Sequence, residues 1–354
     1  MNGKRKIFIK KKRRDIPLIP PNDKGSFPDY MRKEIFTQSK NINHLISKYV
    51  KAEKINFDFL KIKTEKIKRA YIVGGGADYG CVLAGAYNFE VLVDIPCIPS
   101  LLSEFNFSNP ILDKSTLVIV VCDDKNNPQC KAALRRIKEA SARAIGIFNT
   151  DDESSNSISL DFDERGAVST AGYTMRYVAL SLLSLYFGEK NQVVTQLYVK
   201  IAVKLLKTLD EKIKHILENE YIIRHFAENL EGKDLLLTGT NVDFASAIYG
   251  AYLLSFALGQ DVHTVPVGEL DFSKNHRENV IGFASNEHFY DVLVKSVKGG
   301  IKIIPKNIED NGVQSICYDD TIPLFNPVLS AVTVQLMAYD IAKQKGKELN
   351  KYSK

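Results

Sequence analysis

No apolar run in this 354-residue chain is long enough to cross a bilayer; the longest, at 177–187 and 117–122, fall short of the roughly 20 residues a membrane helix needs. Residues 1–14 are basic, but no apolar segment with a small-residue cleavage site follows, so a secretory signal is not expected. Cysteine is sparse. Cys81, Cys97, Cys122, Cys130 and Cys317 are odd in number and show no CxxC spacing, which argues against disulfides and zinc and for a reducing cytosol. The six histidines form no pair at helical spacing. These absences describe a cytoplasmic protein with no metal and no cofactor.

Net charge is +6, but the leader MNGKRKIFIKKKRR (1–14) carries eight Lys/Arg and no acid, which leaves the rest of the chain at −2. The folded body is therefore not basic. The leader reads as a solvated tail, with weak contact to nucleic acid or an anionic surface as its other reading. Residues 16–27 (IPLIPPNDKGSF) hold three prolines and a glycine and read as a linker.

What is present is a repeat. YIVGGGADYGCVLAGAYNFEVLV (71–93) and LLLTGTNVDFASAIYGAYLLSFAL (235–258) align at an offset of 165, which puts Gly74 on Gly239, Asp78 on Asp243 and Gly85-Ala86-Tyr87 on Gly250-Ala251-Tyr252. Each copy is a short apolar run, a glycine turn and an apolar pattern of helical length. That predicts a strand, a tight loop and a helix packing back on the strand. Ligands of open α/β sheets bind beyond the carboxyl ends of strands, where such loops lie.

Further strands are expected at 117–121, 144–148, 157–162, 280–284 and 301–304, with helices at 128–140, 287–298 and 326–343. A helix begins near Tyr30, capped by Pro28-Asp29, and an apolar helix runs to about Phe187. Two amphipathic helices over 191–230 bridge the halves. The fold class is α/β, two tandem doubly wound parallel sheets of flavodoxin-like type flanked by helices. The expected division is leader and linker 1–28, first domain with N-terminal helices 29–205, second domain 206–345 and a polar tail 346–354.

The stretch NDKGSFPDYMRKEIFTQ (22–38) closely resembles the opening of the isomerase module of glucosamine-6-phosphate synthase, the glutamine–fructose-6-phosphate aminotransferase. Ile95-Pro96-Cys97, Ser103-Glu104-Phe105, Val168-Ser169-Thr170, Gly268-Glu269-Leu270 and VQLMAY (334–339) carry the resemblance onward. It implies two sugar-isomerase (SIS) domains, a homodimer, and a sugar phosphate or other carbohydrate derivative as ligand. The family's glutaminase nucleophile, a cysteine after the initiator Met, has no counterpart in Met1-Asn2, so glutamine hydrolysis is not expected of this sequence.

The family cradles its sugar phosphate at two strand–helix turns, where unpaired N–H groups and a partial positive charge attract a dianion. The first, normally Gly-Thr-Ser, falls on Gly76-Ala77-Asp78. The second, normally Ser-Gln-Ser-Gly-Glu-Thr, falls on Cys122-Asp123-Asp124-Lys125-Asn126-Asn127. Hydroxyl donors have become carboxylates, which when ionised only accept hydrogen bonds. Each would repel a dianion by roughly 1–4 kcal/mol per charge pair at 4 Å. Asp78 is placed to cap its own helix, and Asn127-Pro128 reads as a cap followed by proline at the first helical position.

The implied proton-shuttling Glu falls on Phe256, and the ring-opening His on Phe272. Phenylalanine has no proton to exchange, so the enediol route is not expected. His276 is the nearest substitute, with a bystander histidine as the other reading. The lysine after Ser-Thr is Ala171; the C-terminal lysine that reaches the open-chain sugar has a counterpart in Lys351. Ser169 and Thr170 either bond a sugar hydroxyl or satisfy a turn. Scaffold residues persist while reacting ones are lost, the pattern of a pseudoenzyme that binds a carbohydrate derivative. Two alternatives stay open: an isomerase or deglycase of altered substrate, whose Asp78, Asp123 and Asp124 face an amine or Mg²⁺, and a dimeric scaffold or regulatory subunit.

Overall fold

The parallel strands at the centre of each half are mostly apolar, because helices cover both faces and leave no solvated side. The computed structural model describes residues 24–149, 156–230, 234–270, 280–297, 299–310 and 314–351. Helix α1 (Tyr30–Tyr49) opens the described chain, and Asp29 caps it by accepting from the Arg32 amide at 2.8 Å. A hairpin of β1 (Val50–Lys51) and β2 (Lys54–Ile55) leads to β3 (Arg69–Gly74), α2 (Asp78–Val93), β4 (Cys97–Leu101), α3 (Leu102–Phe107), β5 (Thr116–Val121), α4 (Pro128–Glu139), β6 (Arg143–Phe148), β7 (Ser157–Ser159) and α5 (Ala171–Lys190). The sheet order is β4-β3-β5-β6-β7, all parallel.

Where two bridging helices were expected there are three, α6 (Gln196–Lys207), α7 (Leu209–Glu218) and α8 (Glu220–Glu228), with breaks at Thr208 and Asn219. The division at 205/206 falls inside α6. The second half continues with β8 (Leu236–Thr238), α9 (Val242–Leu258), β9 (His263–Thr264), β10 (Val280–Phe283), α10 (Glu287–Ser296), β11 (Ile301–Pro305), β12 (Ser315–Tyr318) and α11 (Asn326–Gln344). Its order, β9-β8-β10-β11-β12, repeats that of the first sheet strand for strand. Both are the flavodoxin-like 2-1-3-4-5 arrangement.

Helices α2 and α9, the repeated pair, are apolar nearly all round because they are buried where the halves meet. They pack on α5 and α11 and on each other. The approach is close: a Cβ at Gly80 would stand 2.8 Å from the Ala245 carbonyl oxygen. One continuous core spans both halves, with smaller clusters on the outer faces of the two sheets. All five cysteines are unpaired.

Candidate functional site

At the carboxyl edge of the first sheet, the turn after β3 runs through Gly76 at φ +59°, a left-handed conformation that glycine adopts without strain. A Cβ there would lie 3.5 Å from the hydroxyl of Tyr252, a half-exposed residue of α9. Ala77 is the N-cap, with no side-chain capping bond. The expectation that Asp78 caps α2 is thus corrected. Its carboxylate turns inward to a cation instead.

That cation is Arg176, in the second turn of α5 and 1% exposed. Arg176 Nη1 donates to Asp78 Oδ1 (2.8 Å) and Ser169 Oγ (3.0 Å); Nη2 donates to Asn149 Oδ1 (2.8 Å) and Glu164 Oε2 (2.8 Å). One guanidinium therefore ties together the head of α2, the residue after β6 and the segment before α5. A buried charge is tolerated only with such partners. Burial pushes the Asp78 carboxyl up to about 6, although Arg176 works the other way. Burial likewise opposes the charged form of Glu164, but Arg176 and Lys351 hold its carboxyl below the usual range.

A second carboxylate backs the network. Glu34 of α1 accepts from the amides of Arg165 (2.5 Å) and Gly166 (2.6 Å), and from Thr170 Oγ1 (2.9 Å). Burial, aided by the Glu164 charge, pushes it up to about 8. In the first half, burial thus disfavours the charged form of Glu34, while Arg176 favours that of the neighbouring Glu164.

The β5–α4 loop behaves differently. Cys122 is buried, whereas Asp123 and Asp124 reach the surface. Asp123 Oδ1 accepts from the Asp124 amide (2.9 Å) and Asp124 Oδ1 from the Asn126 amide (2.8 Å). Asn127 caps α4 as expected, accepting from the Gln129 amide at 2.9 Å. Lys125 is half-buried on the same loop. Lys351 comes to this loop from the far end of the chain, with Nζ 3.6 Å from Asp123 Oδ2. Its backbone N–H donates to the Arg165 carbonyl at 2.6 Å. Burial disfavours the Asp123 carboxylate, but Lys351 and then Arg176 hold its carboxyl low.

The second half contributes from below. Tyr249 of α9 stacks on Tyr173 of α5 with centroids 3.5 Å apart and donates to the Ser169 carbonyl at 2.9 Å. Gln335 of α11 donates to the Thr170 carbonyl and the Tyr249 hydroxyl, both at 3.0 Å. Ser169 and Thr170 are held at this seam.

At the equivalent turn of the second half, Asp243 Oδ2 accepts from the Ser285 amide (2.8 Å) and hydroxyl (3.0 Å). Asn326 fixes Ser285 through its carbonyl at 2.9 Å. Burial, against those two bonds, pushes Asp243 up to about 7.

Gly76, Ala77, Asp78, Cys122, Asp123, Asp124, Lys125, Asn127, Ser169, Thr170 and Lys351 all sit at or beside the carboxyl edge of the first sheet. Phe256 lies on α9, half-buried against the main core. Phe272 and His276 lie outside the described residues. Arg176, Glu164, Glu34 and Asn149 were not singled out from sequence. The available signal was an arginine inside an otherwise uncharged helical run, 171–188, every residue of which is buried. Among the described residues no group of three His, Cys, Asp or Glu is placed to hold a metal, and no helix is long and apolar enough to cross a membrane.

Two α/β sheets of one topology, with the site at the turn after the first strand, define a protein of two SIS-like halves. Residues 64–186 match the SIS domain family. The chain resembles the isomerase module of glutamine–fructose-6-phosphate aminotransferase over most of its length. The isomerizing enzyme of Clostridium tetani is 29% identical over 93% of this chain, and that of Caldanaerobacter subterraneus 28% over the same share. The chain spans 58% of the length of each of these relatives. Among solved structures, the C-terminal domain of glucosamine-fructose-6-phosphate aminotransferase from Francisella tularensis superposes with a TM-score of 0.85 at 20% identity, covering 92% of this chain and 98% of that one. Tagatose-6-phosphate ketose/aldose isomerase from Escherichia coli gives 0.68 at 13% identity, covering 90% and 94%. These two share the fold.

Proposed function

We propose that the protein binds a carbohydrate derivative at the first-half turns and is catalytically degenerate for the isomerisation and amination of fructose 6-phosphate. One observation carries the reading. At the helix head where the resemblance puts the sugar phosphate, Asp78 and Arg176 satisfy each other inside the protein, so that turn offers no hydroxyl donor to a dianion. Asp123, Asp124 and Lys351 face solvent there and form a mixed-charge rim suited to hydroxyl and amine groups of a sugar. The residues aligned with the family's proton carriers, Phe256 and Phe272, cannot exchange protons. The homodimer implied by the resemblance and the cytoplasmic location read from the cysteines belong to the same reading, and light scattering tests the first.

A thermal-shift titration against hexose 6-phosphates, free amino sugars, nucleotide sugars and Mg²⁺ tests the ligand class. A ligand of the native state stabilises it by about 2.7 kcal/mol at a hundred times Kd. A rise with a carbohydrate, weakened in Asp123→Ala, is expected. No response to any sugar would overturn carbohydrate binding and leave the scaffold reading.

A further inference from the structure

The first sheet has a cavity at the edge opposite the site described above. It is open to solvent on one side and has a volume of about 480 Å³, within the range of small-molecule sites. Its apolar walls include Leu60 and Ile62 on one side and Leu134 and Ile137 of α4 on the other. Lys61, Lys138 and Arg143 line it too, and no acidic residue is among its described lining. Arg143 opens β6, whereas Asn149 of the Arg176 network follows the end of that strand. A strand of that length keeps the two places about 20 Å apart.

Among the described residues, the three cations face no carboxylate across this cavity. Arg143 Nη1 is buried and has no hydrogen-bond partner. By contrast, both terminal nitrogens of the buried Arg176 guanidinium are paired, with a carboxylate on each. A buried donor left unpaired costs about 1–3 kcal/mol, and three like charges around one cavity add repulsion. An anion entering between them removes both penalties.

We propose that this cavity is a binding site for a small phosphorylated ligand. The planar guanidinium suits two phosphate oxygens at once. The two lysine ammoniums supply the remaining charge, and the Leu and Ile walls take the apolar body of the ligand. The site is independent of the carbohydrate reading, since it shares no residue with the first-half turns.

Calorimetric titration of the full chain with inorganic phosphate, pyrophosphate and adenosine monophosphate, at matched ionic strength, tests it. Pyrophosphate and the nucleotide are expected to bind more tightly than phosphate, with affinity falling as salt is raised. Arg143→Gln is expected to weaken binding about tenfold or more, the loss of one charge-assisted pair. Because Arg143 is half-buried, the exposed pair Lys61→Gln and Lys138→Gln provides a variant that leaves the core untouched; it too is expected to weaken binding about tenfold. Absence of binding by all three probes, or affinity unchanged in the double lysine variant, would overturn the proposal. Residues 150–155, which join β6 to β7, carry Asp151, Asp152 and Glu153. Binding that emerged only after neutralising those three would make the chain its own counter-ion, which also defeats it.

Discussion

The two halves place an aspartate at the same point of the same motif and treat it in opposite ways. Asp78 heads α2 and meets a guanidinium; Asp243 lies in the first turn of α9 and meets only the amide and hydroxyl of Ser285. Burial raises both carboxyls, but Asp78 only to about 6 and Asp243 to about 7. The backbone repeat therefore does not fix the chemistry of its turn. What fixes it is the side chain that a neighbouring helix sends in. Helix α5 supplies Arg176, and with it a charged network linked through Glu164 to Lys351 and the exposed loop. The second turn is sealed by neutral donors. That difference is why we place the ligand at the first half.

Removing the cation should break the comparison most severely. Arg176→Met leaves Asp78 and Glu164 buried without their partner, and a loss of about 3–5 kcal/mol in urea denaturation is expected. A loss under 1 kcal/mol would mean the network does not hold the first turn together.

The next largest effect is on pH dependence. A carboxyl whose pKa is raised on folding favours the folded state below its unfolded value of about 4, and that contribution is lost as pH climbs through the folded value. For Asp243 the loss falls between about 4 and 7. Asp243→Asn, which still accepts from Ser285, should leave Tm nearly unchanged at pH 4–5 and raise it at pH 8. Asp78→Asn should bring less, because the charged form of Asp78 has a guanidinium partner. Equal gains from the two substitutions would show that Arg176 is not acting as counter-ion to Asp78. Glu34→Gln should extend the trend, flattening the decline in stability up to about pH 8.

The smallest effect belongs to the rim. The Lys351–Asp123 pair is nearly half exposed at 3.6 Å, so Lys351→Gln should change stability by less than about 1 kcal/mol. It should nonetheless weaken a carbohydrate ligand, which titration of wild type and variant side by side would reveal.

The architecture was legible because the repeat states it twice and parallel strands write themselves as apolar runs. The strands that escaped notice, β1, β2, β4, β9 and β12, all lie at sheet edges. β4 carries Pro99, which an edge strand tolerates because that side needs no ladder hydrogen bond. In the site, the loops and Lys351 were found by their spacing and resemblance. Asp78 was misjudged because the same residue type serves as a cap or as half of an ion pair, and its partner lies 98 positions away. Arg176 was passed over because its helix reads as core. A single arginine in a run of buried positions is itself evidence of a buried anion.

The most direct test is turnover. The purified chain, incubated with fructose 6-phosphate and ammonia and followed by ¹H NMR, is expected to form no glucosamine 6-phosphate and no glucose 6-phosphate beyond the protein-free control. Steady formation of either sugar, abolished in Lys351→Ala, would contradict catalytic degeneracy and show that the first-half turns still do chemistry.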